Sequence, residues 1–243
     1  MKNKKAKNKI PHQGLFESKP SLFESAPNVF DAWQNAQELF VNAQENMLCG
    51  IDEAGRGSLC GSLFVSGVAC TKDLAQMLQI QGIKDSKKTT KNTRKNLANL
   101  LIHTPGIHFC IIEKTAKEID EKGLSCCMRE CLQSIIKNLQ SFTSHFIMDG
   151  NTTFGFHPPP PLYLKTLIKG DALLPQISAA SVLAKYAKDC EMMHLDKIYP
   201  NYGFASHSGY GTSAHIAQIK ALGPTKEHRR NFLKDLTNPM PKT

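Results

Sequence analysis

The sequence predicts an α/β fold in which a five-stranded mixed sheet is flanked by helices and followed by a helical C-terminal region. Short apolar runs typical of strands dominate the first part of the chain, and longer patterns with helical spacing dominate the last third. A glycine-containing link joins the first two runs, which indicates an antiparallel pair. The 243 residues suffice for one large domain with an appendage.

Five segments have the length and composition of strands. Each is a short apolar run, and a carboxylate, a glycine or a proline follows most of them. The predicted strands cover residues 47–51, 62–71, 107–113, 145–148 and 164–168.

Apolar residues at spacings of three and four predict the helices of the main domain. Gly123 is a weak point within the second of them, because glycine lowers helix stability. The predicted helices cover residues 91–102, 115–140, 176–195, 213–222 and 225–235.

The N-terminal residues form a region of their own. Five of the first ten residues are lysines, and they account for about half of the net charge of +9. Residues 28–47 carry one apolar stripe at helical spacing, which predicts an amphipathic helix. The stripe is expected to pack on the main domain, and a helix that binds a partner is the alternative. We therefore expect residues 1–45 to be a basic extension with an amphipathic helix, and residues 46–243 to form the main domain.

Composition argues against a secreted, zinc-binding or membrane-spanning protein. The eight cysteines form no C-x-x-C pair and lie mostly among aliphatic residues, which is typical of reduced, small apolar side chains. No apolar segment follows the basic N-terminus, and no run approaches the roughly 18 residues that a membrane span needs. We expect a cytoplasmic protein that acts as a monomer without a membrane partner.

Carboxylates follow three of the predicted strands. Asp52 and Glu53 end the first strand, Asp149 ends the fourth, and Asp171 comes just after the fifth. Adjacent residues face opposite sides of a straight strand, but the glycines that follow allow the chain to bend so that both acids reach one site. Four converging carboxylates predict a hard-oxygen site for Mg²⁺ or Mn²⁺. Two ions about 4 Å apart would suit an in-line phosphoryl displacement.

Two alternatives to this metal site remain open from the sequence. Each acid taken alone is typical of a surface loop, and only the context that all four share favours a common site. Gly55, Gly57 and Gly61 also suggest a dinucleotide-binding loop. Their spacing is one residue too long for that fingerprint, and two carboxylates just before the turn would repel a pyrophosphate.

Basic and aromatic residues suit a nucleic-acid backbone. Ser86 and Lys87 precede a predicted helix whose N-terminus can bind a phosphate. Lys185 lies on a helix whose small residues at 178–181 allow close approach to the sheet or to a ligand. Tyr210 stands between two glycines and can stack on a sugar or a base, and an ordinary surface turn is the alternative.

Eight motifs in order make the chain resemble the type 2 ribonucleases H of bacteria. They occupy residues 52–57, 85–88, 149–151, 169–171, 177–185, 199–204, 209–212 and 223–232. Some positions depart from the pattern: Ser58 and Ser62 stand where prolines are usual, and Ala187 and Lys188 replace a Thr-Arg pair. These departures bear on affinity and loop position rather than on the chemistry.

The resemblance implies a ribonuclease H-like fold for the main domain, which would be catalytic. It implies that Asp52, Glu53, Asp149 and Asp171 are the catalytic, metal-binding acids, with two ions present when substrate is bound. The segment Gly55-Arg56-Gly57 would read the ribose 2′-hydroxyl at an RNA-to-DNA junction. Tyr210 would stack on the following deoxyribose.

The same resemblance implies the substrates and the products. The substrates would be RNA–DNA hybrid duplexes and DNA with embedded ribonucleotides, cut on the 5′ side of a ribonucleotide to leave 3′-hydroxyl and 5′-phosphate ends. A metal nuclease of a related fold, such as a junction resolvase, and a non-catalytic nucleic-acid-binding module are the alternatives. A binding module has no need of four acids beside phosphates, because the acids repel the ligand when no metal is bound.

Overall fold

The computed structural model describes residues 47–83 and 89–234. Residues 28–46 of the predicted N-terminal helix and the positions of Ser86 and Lys87 lie outside these ranges, and Met47 belongs to a strand. Among the described helices, none is both long enough and apolar enough to cross a membrane.

Five strands form one mixed sheet in the order β3-β2-β1-β4-β5. They are β1 (Met47–Ala54), β2 (Leu63–Thr71), β3 (His108–Lys114), β4 (His145–Asp149) and β5 (Tyr163–Leu167). β2 is antiparallel to β1 and to β3, whereas β4 is parallel to β1 and to β5. The five predicted strands and the antiparallel first pair are therefore confirmed.

The helices cover both faces of the sheet and build the C-terminal region. They are α1 (Lys72–Ile80), α2 (Lys91–His103), α3 (Ala116–Lys122), α4 (Leu124–Leu139), α5 (Gly170–Leu173), α6 (Pro175–Ile198), α7 (Phe204–His207) and α8 (Ser213–Leu222). Two single 3₁₀ turns cover Pro200–Tyr202 and Arg230–Phe232. Gly123, with φ of 82°, divides the predicted helix 115–140 into α3 and α4.

Two helix predictions differ from the structure. α1 was not predicted, because it buries only Ala75 and Leu78 completely and so has no long apolar stripe. The helix predicted at residues 225–235 was wrong for residues 225–229, which are not helical, and among residues 225–233 only a 3₁₀ turn at Arg230–Phe232 is helical. His228 there forms a β-bridge with Cys60, so backbone groups on either side of His228 hydrogen-bond to a distant loop rather than continuing a helix.

Two apolar layers fix the sheet between helices. α4 packs on one face, with β1 residues Cys49 and Ile51. α6 packs on the other face, beside Gly50, where a Cβ atom would lie 2.3 Å from the backbone nitrogen of Ile177. Glycine at residue 50 therefore allows α6 to lie directly against the strand that ends in the first two acids.

Candidate active site

The carboxyl ends of three parallel strands lie side by side at one edge of the sheet. Asp52 lies near the end of β1, Asp149 ends β4, and Asp171 is the second residue of α5, which follows β5. β4 pairs with both β1 and β5, so these residues follow neighbouring strands. We call Asp52, Glu53, Asp149 and Asp171 the acid edge.

The first two acids leave β1 on opposite faces of the sheet. β1 continues straight through Ala54, and the bend expected from the glycines comes only at Gly55, with φ of 82°. Asp52 pairs with Ser66 in the β1–β2 register, and Glu53 pairs with Val65. Asp52 therefore points toward the α6 side, whereas Glu53 reaches the edge from the α4 side.

Burial and mutual repulsion disfavour the charged forms of the first two carboxylates of the acid edge. Burial raises the pKa of Asp52 to about 6 and the pKa of Glu53 to about 7. The charge of Asp52 raises the pKa of Glu53 further, and the charge of Asp149 acts in the same direction on both acids. Among the described side chains, the Oε2 atom of Glu53 is buried and has no hydrogen-bond partner.

Two basic side chains reach this edge. The guanidinium Nη1 of Arg56 lies 2.9 Å from Oε1 of Glu53, although half of its own side chain is exposed. Lys185 Nζ donates to the hydroxyl of Ser181 at 2.7 Å, and Ser181 hydrogen-bonds to the carboxylate of Asp52. Both cations lower carboxylate pKa values, but the effect of burial is larger.

The other two acids lie at the turn into α6. Oδ1 of Asp149 accepts the backbone N–H of Gly170 at 2.7 Å, directly before Asp171. Asp171 is 2% exposed, and its carbonyl oxygen accepts the hydroxyl of Ser178. Across residues 47–83 and 89–234, no three His, Cys, Asp or Glu side chains form a ready set of metal ligands.

The donor set of the acid edge nevertheless fits a hard divalent cation. Its ligands are carboxylate oxygens, which Mg²⁺ and Mn²⁺ prefer. The raised pKa values and the unpartnered oxygen of Glu53 are features that a bound cation would stabilise. In this structure Asp52 Oδ1 instead accepts the backbone N–H of Glu53 at 2.8 Å, and Asp149 is held by Gly170.

A glycine-rich loop at residues 55–62 lies beside the acid edge and touches Tyr210. The N–H of Gly55 lies 3.4 Å from the hydroxyl of Tyr210, a residue that is 43% exposed. Gly57 is exposed, and a Cβ atom there would meet nothing within 4 Å. The fold does not require glycine at residue 57, so its bare backbone is open to a ligand.

Two buried histidines, His215 and His228, hold the Tyr210 segment. His215 Nδ1 lies 2.9 Å from the carbonyl oxygen of Tyr210, and His215 Nε2 lies 3.1 Å from Nε2 of His228. His228 Nδ1 accepts the N–H of Thr225 at 2.9 Å. Both rings are buried, which a single sequence cannot reveal because the contacts join separate loops.

The sheet order and the acids at its carboxyl edge define an α/β protein of the ribonuclease H-like class. The ribonuclease HII family pattern matches residues 49–235. The chain belongs to the ribonuclease HII family, and it is a ribonuclease H endonuclease.

Known relatives agree with this assignment over most of the chain. Ribonuclease HII of Helicobacter pylori (strain P12) is 44% identical over 186 residues, which cover 76% of this chain and 91% of the relative. The structure of the PCNA:RNase HII complex from Archaeoglobus fulgidus matches with a TM-score of 0.62 and 25% identity, covering 79% of this chain and 97% of that chain. Ribonuclease H2 from Pyrococcus horikoshii OT3 shares the fold, with a TM-score of 0.63 and 24% identity over 78% of this chain and 96% of that chain.

Proposed function

We propose that this endonuclease hydrolyses the RNA strand of RNA–DNA hybrids and cuts on the 5′ side of ribonucleotides embedded in duplex DNA. The products carry 3′-hydroxyl and 5′-phosphate ends. One observation carries the proposal beyond family membership. Gly55, which contacts the hydroxyl of Tyr210, is only two residues after Glu53 in the chain. A group that reads a sugar and a group that acts on the neighbouring phosphate need such proximity.

The acid edge is proposed as the catalytic centre. Asp52, Glu53, Asp149 and Asp171 hold Mg²⁺ or Mn²⁺, with two ions present when substrate is bound. When bound, a divalent ion supplies the positive charge that an in-line phosphoryl displacement needs at its attacking and leaving oxygens. The chain orients the acids: Ser181 hydrogen-bonds to Asp52, and the N–H of Gly170 fixes Asp149.

Sugar recognition is proposed for the loop and the tyrosine. A 2′-hydroxyl is the group that distinguishes a ribose from a deoxyribose, and backbone groups at Gly55, Arg56 and Gly57 can hydrogen-bond to it. The half-exposed ring of Tyr210 stacks on the next deoxyribose. Ser86, Lys87 and Lys185 contact the phosphates, which their charges and hydroxyl suit.

A paired-substrate assay tests this function. One duplex carries a single ribonucleotide, a second has the same sequence entirely in DNA, and Mg²⁺ or Mn²⁺ is titrated into both. We expect cleavage of the first duplex only, at the 5′ side of the ribonucleotide and only with added metal. Comparable cutting of the all-DNA duplex would contradict the proposal.

The variant Gly57→Ala sharpens the same assay. Nothing lies within 4 Å of the added methyl group in the protein, so the thermal unfolding temperature should not change. A methyl group placed against the ribose should lower kcat/KM for the single-ribonucleotide duplex by about tenfold or more, the effect of a lost close contact. An unchanged kcat/KM would show that the ribose does not bind against Gly57.

We also propose that residues 46–243 form the catalytic domain and that residues 1–45 are an appended basic extension. The family match begins at residue 49, and the described sheet begins at Met47. A chain lacking residues 1–45 should keep its kcat on the single-ribonucleotide duplex. A loss of folding or of kcat would assign the extension to the catalytic unit.

A further inference from the structure

Three charged side chains are buried beneath the loop at residues 55–62, outside the acid edge. Lys188 and Glu191 lie on α6 with side chains 3% and 6% exposed, and Arg229 precedes the last 3₁₀ turn and is fully buried. Burying a charge is costly unless fixed partners replace the lost water. Their partners therefore indicate what these residues hold in place.

The ion pair on α6 holds the end of the loop. Lys188 Nζ donates to the carbonyl oxygens of Cys60 at 3.1 Å and Ser62 at 3.0 Å, and to Oε2 of Glu191 at 2.8 Å. Oε1 of Glu191 accepts the N–H of Ser62 at 2.7 Å. A proline at residue 62 would have no N–H to donate, so this last bond needs a residue other than proline there.

Arg229 holds the middle of the loop. Its Nε donates to the carbonyl oxygen of Gly61 at 2.9 Å, and its Nη1 donates to the carbonyl oxygen of Arg56 at 3.0 Å. The backbone N–H of Arg229 donates to the carbonyl oxygen of Leu59 at 2.8 Å. With the contacts of Lys188, four carbonyl groups of the loop accept hydrogen bonds from these buried cations.

The bond to the Arg56 carbonyl has a geometric consequence. The peptide between Arg56 and Gly57 is planar and trans, so its C=O and N–H point in opposite directions. Because Arg229 draws the carbonyl inward, the N–H of Gly57 points away from Arg229. Gly57 is exposed and has open space where a side chain would be, so this part of the loop is accessible to a ribose.

We infer that Arg229 is a positioning residue for ribose recognition, which fixes the Arg56–Gly57 peptide plane while Lys188 and Glu191 hold the end of the same loop. The inference rests on the proposed function, since it needs the loop to read a 2′-hydroxyl. Arg229 acts through the backbone of the loop and touches neither the substrate nor the acid edge.

The variant Arg229→Lys tests the inference, because an ammonium group keeps the charge but cannot reproduce the two-pronged geometry of a guanidinium. Binding is measured in an Asp149→Asn background with Mg²⁺, where cleavage is suppressed. The readout is the ratio of Kd for an all-DNA duplex to Kd for the single-ribonucleotide duplex. We expect Arg229→Lys to lower this ratio by about tenfold, the loss of one well-oriented hydrogen bond to the sugar.

A matched control separates positioning from stability. Arg129→Lys makes the same substitution on α4, where Nε of Arg129 donates to the carbonyl oxygen of Phe154 at 3.1 Å. Its Kd ratio should equal that of the Asp149→Asn parent. A folded Arg229→Lys chain with an unchanged ratio, whatever its unfolding temperature, would overturn the inference.

A second variant decides the question if Arg229→Lys does not fold. Glu191→Gln keeps an oxygen that accepts from Ser62 but removes the charge that faces Lys188. We expect its Kd ratio to fall about threefold, because the bonds that Glu191 forms with Lys188 and Ser62 would lose the strength that the carboxylate charge gives them. An unchanged ratio in Glu191→Gln would overturn the inference. A parent chain without preference for the ribonucleotide duplex would instead refute the proposed function, on which the inference depends.

Discussion

The acid edge gathers carboxylates that repel one another, whereas the buried charges beneath the loop are paired with partners of the protein itself. At the acid edge, like charges gather, and burial raises the pKa of Asp52 and Glu53. Beneath the loop, Lys188 and Glu191 form an ion pair, and carbonyl groups surround Lys188 and Arg229. The first arrangement is suited to an external cation, whereas the second is largely satisfied within the protein and maintains geometry.

The largest expected effect belongs to the acid edge. Asp149→Asn should lower kcat with Mg²⁺ by about a thousandfold, because several kcal/mol of charge stabilisation at the phosphate are lost. The amide oxygen can still accept from Gly170, so the fold should remain and duplex Kd should change little. Single-turnover cleavage and fluorescence anisotropy measure the two quantities. Near-normal cleavage by this variant would remove the metal site from the mechanism.

The next effect belongs to sugar recognition. Tyr210→Ala should lower the preference for a ribonucleotide–deoxyribonucleotide junction by about tenfold, because stacking on an aromatic ring contributes roughly 1–3 kcal/mol. Tyr210→Phe keeps the ring and loses only the long contact to Gly55, so its preference should stay within about threefold of the wild type. Competition between junction and all-RNA hybrid substrates gives these ratios. Equal preference in all three chains would refute the stacking role.

A stability measurement distinguishes the two charge arrangements without any substrate. In metal-free protein at pH 8, Glu53→Gln should raise the free energy of unfolding by on the order of 2 kcal/mol, since a buried, repelled charge is removed. The folded pKa of Glu53 is about 7, above its ordinary value of 4.5. Its protonation therefore stabilises the folded state as pH falls through 7, and the advantage of the glutamine should disappear by about pH 4.5. Urea unfolding with EDTA across this range checks the sign.

The smallest effect has the opposite pH dependence. Burial lowers the pKa of His228 from 6.5 to about 4, so its contribution to stability is present above pH 6.5 and is lost as pH falls toward 4. His228→Asn removes this titration, and its oxygen can accept the N–H of Thr225. The stability difference between wild type and His228→Asn should therefore shrink on acidification by about 1 kcal/mol or more. A difference that is constant between pH 7 and pH 5 would contradict the neutral histidine pair.

The sequence predicted the strands and the acids because both signals are local. A strand shows its apolar run within a few residues. Asp52 and Asp149 follow such runs directly, and Asp171 follows one after Lys169 and Gly170. That the acids lie near one another follows from the parallel pairing of β1, β4 and β5, which only the structure shows. The assignment of the four acids as metal ligands stays a prediction.

The residues that the sequence did not assign act across long chain separations. Lys188 and Glu191 read as an ordinary pair three residues apart on a helix, and nothing local shows that they hold carbonyl and amide groups near Cys60. Arg229 lies in the segment wrongly predicted as a helix, where its backbone N–H donates to Leu59. Pairing with a loop some 170 residues earlier leaves no periodic signal.

One helix carries both kinds of charge. Ser181 and Lys185 reach the first acid, while Lys188 holds the glycine loop, and all three lie on one side of α6 at spacings of four and three. A helix rises 1.5 Å per residue, so about 10 Å of rigid rod separates residue 181 from residue 188. α6 thus fixes the distance between the proposed catalytic acids and the loop proposed to read the sugar, and we expect a chain with a lengthened α6 to cut at a different distance from the ribonucleotide.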